Sequence, residues 1–199
     1  MTTTLNSSAL ISLTSETAFP AAKFGYTARL IASIPNASII DWILVELRTE
    51  TAANTKIAAQ AGFLKSDGTI VDLDGTSPLS MSVSAGSYYV VARHRNHLAI
   101  MSAAPVALSG TSTLYNFTTA QAHAFGANPL NDLAGGVFGM VAGDANGSGI
   151  VTATDISAVI SVLNGTGYNA ADVNLSGIAT ATDINIIIIN VNKSSKVPN

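Results

Sequence analysis

Two twelve-residue segments hold the side chains whose types and spacing can do chemistry. The first places Asp144, Asn146, Ser148, Gly149, Ile150, Thr152 and Asp155 at its positions 1, 3, 5, 6, 7, 9 and 12. The second starts 28 residues later and places Asp172, Asn174, Ser176, Gly177, Ile178, Thr180 and Asp183 at the same positions. Positions 1, 3, 5 to 7 and 9 to 12 are identical in the two copies. This is the donor pattern that a hard divalent cation such as calcium requires, six to eight oxygens converging on one point. Positions 1, 3 and 5 offer side-chain oxygens, and position 7 a backbone carbonyl. Position 9 offers a hydroxyl or a water, and position 12 a closing carboxylate. The chain has to turn sharply at position 6, where glycine tolerates positive φ. After Asp132 the chain contains four carboxylates, and all four lie at position 1 or 12. A repeat that was merely polar would scatter its acids. Asx-turn chemistry without a metal is the simpler alternative. Two copies in register, each closed by an acid, favour two bound Ca2+ ions.

Each loop carries only two formal negative charges, because position 5 is Ser in both and position 12 is Asp. Fewer charges weaken binding, so the expected affinity lies towards the millimolar extracellular regime, on the order of 10⁻⁴ to 10⁻³ M. Composition agrees with that setting. The chain of 199 residues is 48% hydrophobic but only 11% charged, and it has no cysteine. Disulfides, thiolate metal sites and cysteine nucleophiles are therefore excluded. A net charge of −3 argues against nucleic-acid or anionic-membrane binding, which need clustered cations. No stretch approaches the roughly 20 apolar residues of a membrane span. Residues 1–8 are polar and do not read as a signal peptide.

The loops need elements to hold them. Ile156, Val159, Ile160 and Leu163 follow the first loop at helical spacing. The segment Ile184–Asn192 after the second has strand propensity on its face, but the repeat symmetry and the Asp at its start predict a helix. With a calcium loop followed by one helix, twice, residues 139–195 resemble the dockerins. That resemblance implies a non-catalytic docking module, and in its cellulosomal form one that binds a cohesin. Dockerin recognition uses loop positions 10 and 11 and the following helix. Here those positions are Ala153-Thr154 and Ala181-Thr182, in place of the usual Ser-Thr pair. The repeat identity implies a pseudo-twofold surface.

The first two thirds read as short strands with turns between them. Candidates are Leu10–Leu13, Phe24–Ile31, Trp42–Arg48, Ile57–Leu64, Ile70–Val71, Leu79–Val83, Tyr88–Arg93, Ala104–Leu108 and Leu114–Phe117. No convincing helical period occurs before residue 120. The expected fold is mainly β with a small α part: an antiparallel β-sandwich followed by the pair of loop–helix units. The expected division is a sandwich over 1–125, a linker or packing segment over 126–138, the calcium module over 139–195 and a tail over 196–199. The strings Asp41–Arg48, Asp67–Gly75 and Gly86–Leu98 are similar to a β-sandwich module that precedes dockerin-like repeats near the C-termini of large secreted Bacteroidota proteins.

Arg93, His94, Arg95 and His97 invite a catalytic reading, but no Ser or Cys nucleophile with a matching triad accompanies them. In a regular strand Arg93 and Arg95 would share one face and His94 the other. Their expected role is structural, with an Arg paired to Asp41, Glu46 or Asp72 and a His at a strand end. A zinc site lacks a third ligand beside His94 and His97. Trp42 with Tyr88 and Tyr89 offers a weak case for carbohydrate stacking, against the simpler reading of core packing. The expected function is a non-catalytic, extracellular or cell-surface, bacterial calcium-clamped module for protein–protein interaction or adhesion. The alternatives are a subunit of a calcium-stabilised filament or lattice, using the segment from Leu10 for self-association by strand exchange, and a cellulosome-type dockerin.

Overall fold

The structure is a computed structural model that describes residues 4–199. Of the polar opening over 1–8, the first three residues lie outside those described. Short helices α1 (Thr4–Ser7) and α2 (Ala21–Phe24) precede the strands β1 (Ile39–Arg48), β2 (Lys56–Lys65), β3 (Ile70–Val71), β4 (Gly86–His94), β5 (His97–Met101) and β6 (Val106–Leu108). A two-stranded ribbon, β7 (Asn131–Asp132) and β8 (Phe138–Gly139), leads to helices α3 (Ala153–Ser161) and α4 (Ala181–Asn190). The main sheet runs β3-β2-β1-β4-β5 with β6 paired to β4, and its pairings are antiparallel. The fold is thus mainly antiparallel β with the helical pair at the C-terminus.

All ten residues of β1 are buried. Its run Ile-Ile-Asp-Trp-Ile-Leu-Val is what a strand covered on both faces requires. Trp42 lies opposite Phe63 of β2 with ring centroids 4.3 Å apart. Its indole N–H donates to the Ser12 carbonyl at 2.7 Å. Leu5, Ile11 and Phe19 of the N-terminal segment close over Ile40, Trp42 and Leu44. The segment from Leu10 is therefore folded onto its own sheet. It is not a strand: one bridge, Thr14 with Leu30, replaces the expected pairing. The stretch Phe24–Ile31 likewise makes no strand beyond that bridge, and α1 and α2 correct the expectation of no early helix. Glu16 at Ala21 N–H and Gly25 in the left-handed region bound α2. Leu79–Val83 and Leu114–Phe117 are also not strands. Pro78 supplies only a bridge to Val71, since proline cannot continue a ladder.

Trp42 has no exposed surface. The carbohydrate platform suggested by the sequence is therefore absent as drawn, because an indole buried against Phe63 cannot stack on a sugar. No helix among the described residues is long and apolar enough to cross a membrane.

Candidate metal centre

Helices α3 and α4 begin the same way. Thr152 and Thr180 are N-caps whose hydroxyls accept from the N–H of Thr154 and Thr182. Asp155 and Asp183 close a capping box by accepting from the N–H of Thr152 and Thr180, both at 2.8 Å. The box explains why the Ile-rich α4 segment is helical despite its propensity. The first backbone N–H groups of a helix need acceptors, and Thr-Ala-Thr-Asp supplies part of them locally. Val159 and Ile187 then bury the inner helical faces against Leu98, Val141, Val151 and Val173.

The same carboxylates look into the loops. The Asp155 and Asp183 carboxylates also accept from the N–H of Asn146 and Asn174, both at 3.1 Å. Asp144 accepts from the N–H of Ser148 (2.8 Å) and Gly149 (2.9 Å). Asp172 accepts from those of Ser176 (2.9 Å) and Gly177 (2.8 Å). The side-chain oxygens of Asn146 and Asn174 accept from Ser148 and Ser176, both at 2.9 Å. Ser148 and Ser176 hydroxyls donate to the carbonyls of Ile150 (3.0 Å) and Ile178 (3.2 Å), so both position-7 carbonyls face position 5. The Thr152 and Thr180 hydroxyls lie 3.3 and 3.0 Å from the carboxylates of Asp155 and Asp183. Every residue picked out by spacing is thus brought onto one of two matching oxygen-lined loops. Gly149 (φ 84°) and Gly177 (φ 89°) make the sharp turn that residues with a Cβ rarely make.

The loops are also joined as a pair. Val151 exchanges backbone bonds with Asn192 and Lys193 after α4, each at 2.9 Å. The equivalent Ala179 does so with Asn164 and Gly165 after α3, at 2.8 and 3.0 Å. Each loop is therefore stitched to the segment following the other loop's helix.

Asp144, Asp155, Asp172 and Asp183 are all buried. Among the described residues none of the four has an ion-pair partner. Burial pushes the carboxyls of Asp144 and Asp172 above their usual range. Buried charges are normally paired or bound to a metal. Two such carboxylates per loop, ringed by neutral oxygens and without sulfur or imidazole, suit a hard cation and not zinc or copper. Among the described residues no cluster of three or more His, Cys, Asp or Glu forms, so each loop's remaining donors are amide, hydroxyl and carbonyl oxygens.

Residues 142–192 match the family model of the dockerin type I domain. Dockerin domains are non-catalytic docking domains that bind calcium. No curated protein matches the chain. Two crystal structures of type II cohesin–X–dockerin complexes from Acetivibrio cellulolyticus are similar to it, one an N-terminal and the other a C-terminal interface mutant. Each is 21% identical, with TM-scores of 0.43 and 0.45. They cover 77% and 81% of this chain and 82% and 86% of their own.

The dockerin segment is seated on the sheet by a buried polar cluster. Asp41 receives Arg95 Nε at 2.8 Å and the Tyr168 hydroxyl, and His94 Nε2 lies 3.1 Å away. Burial alone would raise the Asp41 carboxyl, but the charges of Arg95 and His94 hold it well below the usual range. Arg95 stacks over the Tyr168 ring at 4.5 Å and donates to the Asn169 carbonyl. A register shift between Ala92 and His94 breaks the strand alternation, so His94 and Arg95 reach the same carboxylate instead of opposite faces. Arg93 pairs with Glu46 at 2.8 Å, and Arg29 with Asp72 at 2.6 Å. His97 packs edge-on against His94 and is half-buried; desolvation and the neighbouring charges of His94 and Arg95 lower its pKa well below the usual value. The sequence predicts an Arg of this cluster on Asp41, Glu46 or Asp72; Arg95 takes Asp41 and Arg93 takes Glu46, whereas Asp72 is taken by Arg29. Sequence reasoning missed the capping boxes, whose Thr-x-x-Asp signature was available, and Tyr168, which carried no signal.

Proposed function

We propose that this chain is an extracellular, bacterial, non-catalytic docking module in which two calcium ions clamp the helical pair that meets a protein partner. The carrying observation is the set of four buried carboxylates that have no ion-pair partner among the described residues, arranged in two loops with matching hydrogen bonds. Each loop would take one ion, through Asp144, Asn146, Ser148, Ile150, Thr152 and Asp155 in the first. The second would use Asp172, Asn174, Ser176, Ile178, Thr180 and Asp183. Residues 1–125 act as the seat and 139–195 as the docking pair. Residues 126–138 pack between them, with Leu130 and Phe138 joining Ala92 and Ile100 in one cluster.

The surface for a partner lies on the outer faces of α3 and α4. Ile160 of α3 and Leu163 in the turn after it are 58% and 47% exposed, and Ile188 and Ile189 of α4 are 54% and 76% exposed. The helix-start residues Ala153, Thr154, Ala181 and Thr182 are exposed as well. Contiguous exposed apolar side chains mark interaction sites. The N-terminal segment is consumed by its own core, which favours docking over strand exchange into a filament. A cohesin-type module is the first partner to test. The test is calorimetry of the full chain against a panel of cohesins, in calcium and in chelator. Binding in calcium that is lost in chelator and in Ile188→Asp supports the reading. No binding to any cohesin removes the cohesin assignment, and a chain that takes up no calcium overturns the clamp.

A further inference from the structure

One residue of the hairpin between β4 and β5 is hydrogen-bonded to position 1 of both loops. Asn96 is fully buried at its tip. Its backbone carbonyl accepts from the N–H of Gly143 at 3.0 Å and of Asp144 at 3.1 Å. Its side-chain Nδ2 donates to the carbonyls of Ala170 at 3.0 Å and Asp172 at 2.8 Å. Asp144 and Asp172 are position 1 of the first and second loop. The tip is itself fixed. Arg95 anchors it to Asp41, the Asn96 side-chain oxygen lies 2.8 Å from His97 Nδ1, and Leu98 N–H donates to Val141 O at 2.8 Å.

We propose that this tip is a two-armed bracket that sets the first ligand of both metal loops, with Asn96 as a positioning residue. The two arms are chemically different. The backbone carbonyl serves the first loop, and any residue at 96 retains it. The amide side chain serves the second loop, and only a residue with donors reaching both carbonyls can replace it. Side-chain substitution therefore acts on the second loop selectively. This rests on the reading that the loops bind calcium.

The test is a calcium titration of the full chain followed by the amide resonances of Gly149 and Gly177, which report the loops separately. Asn96→Leu is close in size and lacks the donors. It leaves the carbonyls of Ala170 and Asp172 without their donor. Two hydrogen bonds of ordinary net strength predict an affinity at Gly177 weakened about tenfold or more, with Gly149 changed less than about threefold. Asn96→Ser keeps one donor and gives a smaller, equally selective loss. It also serves if the leucine variant does not fold, Trp42 emission being the check. Equal loss at both glycines means general loosening and overturns the bracket, as does no loss at either. If neither resonance moves with calcium in the unsubstituted chain, the calcium reading fails and the bracket with it.

Discussion

The second loop is pressed into the seat, whereas the first faces a cleft. Leu175, at position 4 of the second loop, is buried with Leu5, Ile11 and Phe19 in the sheet core. It holds a left-handed backbone (φ 62°), which leucine adopts at a cost. The equivalent residue of the first loop is Gly147 at φ 66°. It is exposed, and its carbonyl receives Lys23 Nζ at 3.2 Å across the cleft. Gly177 is packed so closely that a Cβ would sit 2.6 Å from Leu10, while a Cβ on Gly149 would meet nothing. Identical ligand patterns are therefore held at different costs. The seat packs one loop into its core and leaves the tip of the other open to the cleft. Strain at Leu175 is tolerated because its side chain is buried.

That difference can be broken by substitution. In calcium, Asp172→Ala should lower stability by about 3 kcal/mol or more, because it leaves Asp183 buried without its metal inside a packed interface. Asp144→Ala should cost at least about 1 kcal/mol less, since the first loop can open towards solvent. Urea unfolding followed by Trp42 emission measures both, and equal losses would erase the distinction. Next, Leu175→Gly relieves the left-handed strain but loses core burial, for a net cost of about 2 kcal/mol. The converse Gly147→Leu adds strain without burial and costs about 1 kcal/mol. If Leu175→Gly stabilises the protein, the burial argument is wrong.

Acid should act on the seat's grip on the second loop. The depressed pKa of Asp41 means that the unfolded chain takes up this proton first. Its stabilisation is then fully present above the unfolded value of about 4 and is lost as the pH falls towards the folded value. The melting temperature of the unsubstituted chain should fall below about pH 4 more steeply than that of Asp41→Asn, which starts lower. Parallel pH profiles would remove the Asp41 cluster from the account. The smallest expected effect on stability comes from Ile160→Asp and Ile188→Asp, equivalent surface positions in the repeat. Each should shift stability by less than about 0.5 kcal/mol. If both helical faces meet the partner, both should weaken docking. Loss in only one would show that the seat's asymmetry extends to recognition.

The two loops, their helices and the central strands were legible because each is encoded within a short stretch. Twelve residues hold a loop's donors, and the spacing of Ile156, Val159 and Ile160 marks the first helix, which the repeat carries over to the second. Trp42–Arg48 marks the central strand, although the structure starts it at Ile39 and buries both of its faces. The irregular segments were not legible. Leu79–Val83 and Leu114–Phe117 have strand composition but find no partner edge, and pairing is a tertiary property. Composition and spacing alone determined two matching loops of oxygen donors on a mainly β protein. Only the tertiary structure decided that Asn96 lies between the loops, that Asp41 collects Arg95 and Tyr168 from 54 and 127 residues away, and that the tip of the second loop enters the sheet core while that of the first is exposed. Those facts depend on which surfaces meet after the chain has closed loops of that length, and no local pattern of residue types records it.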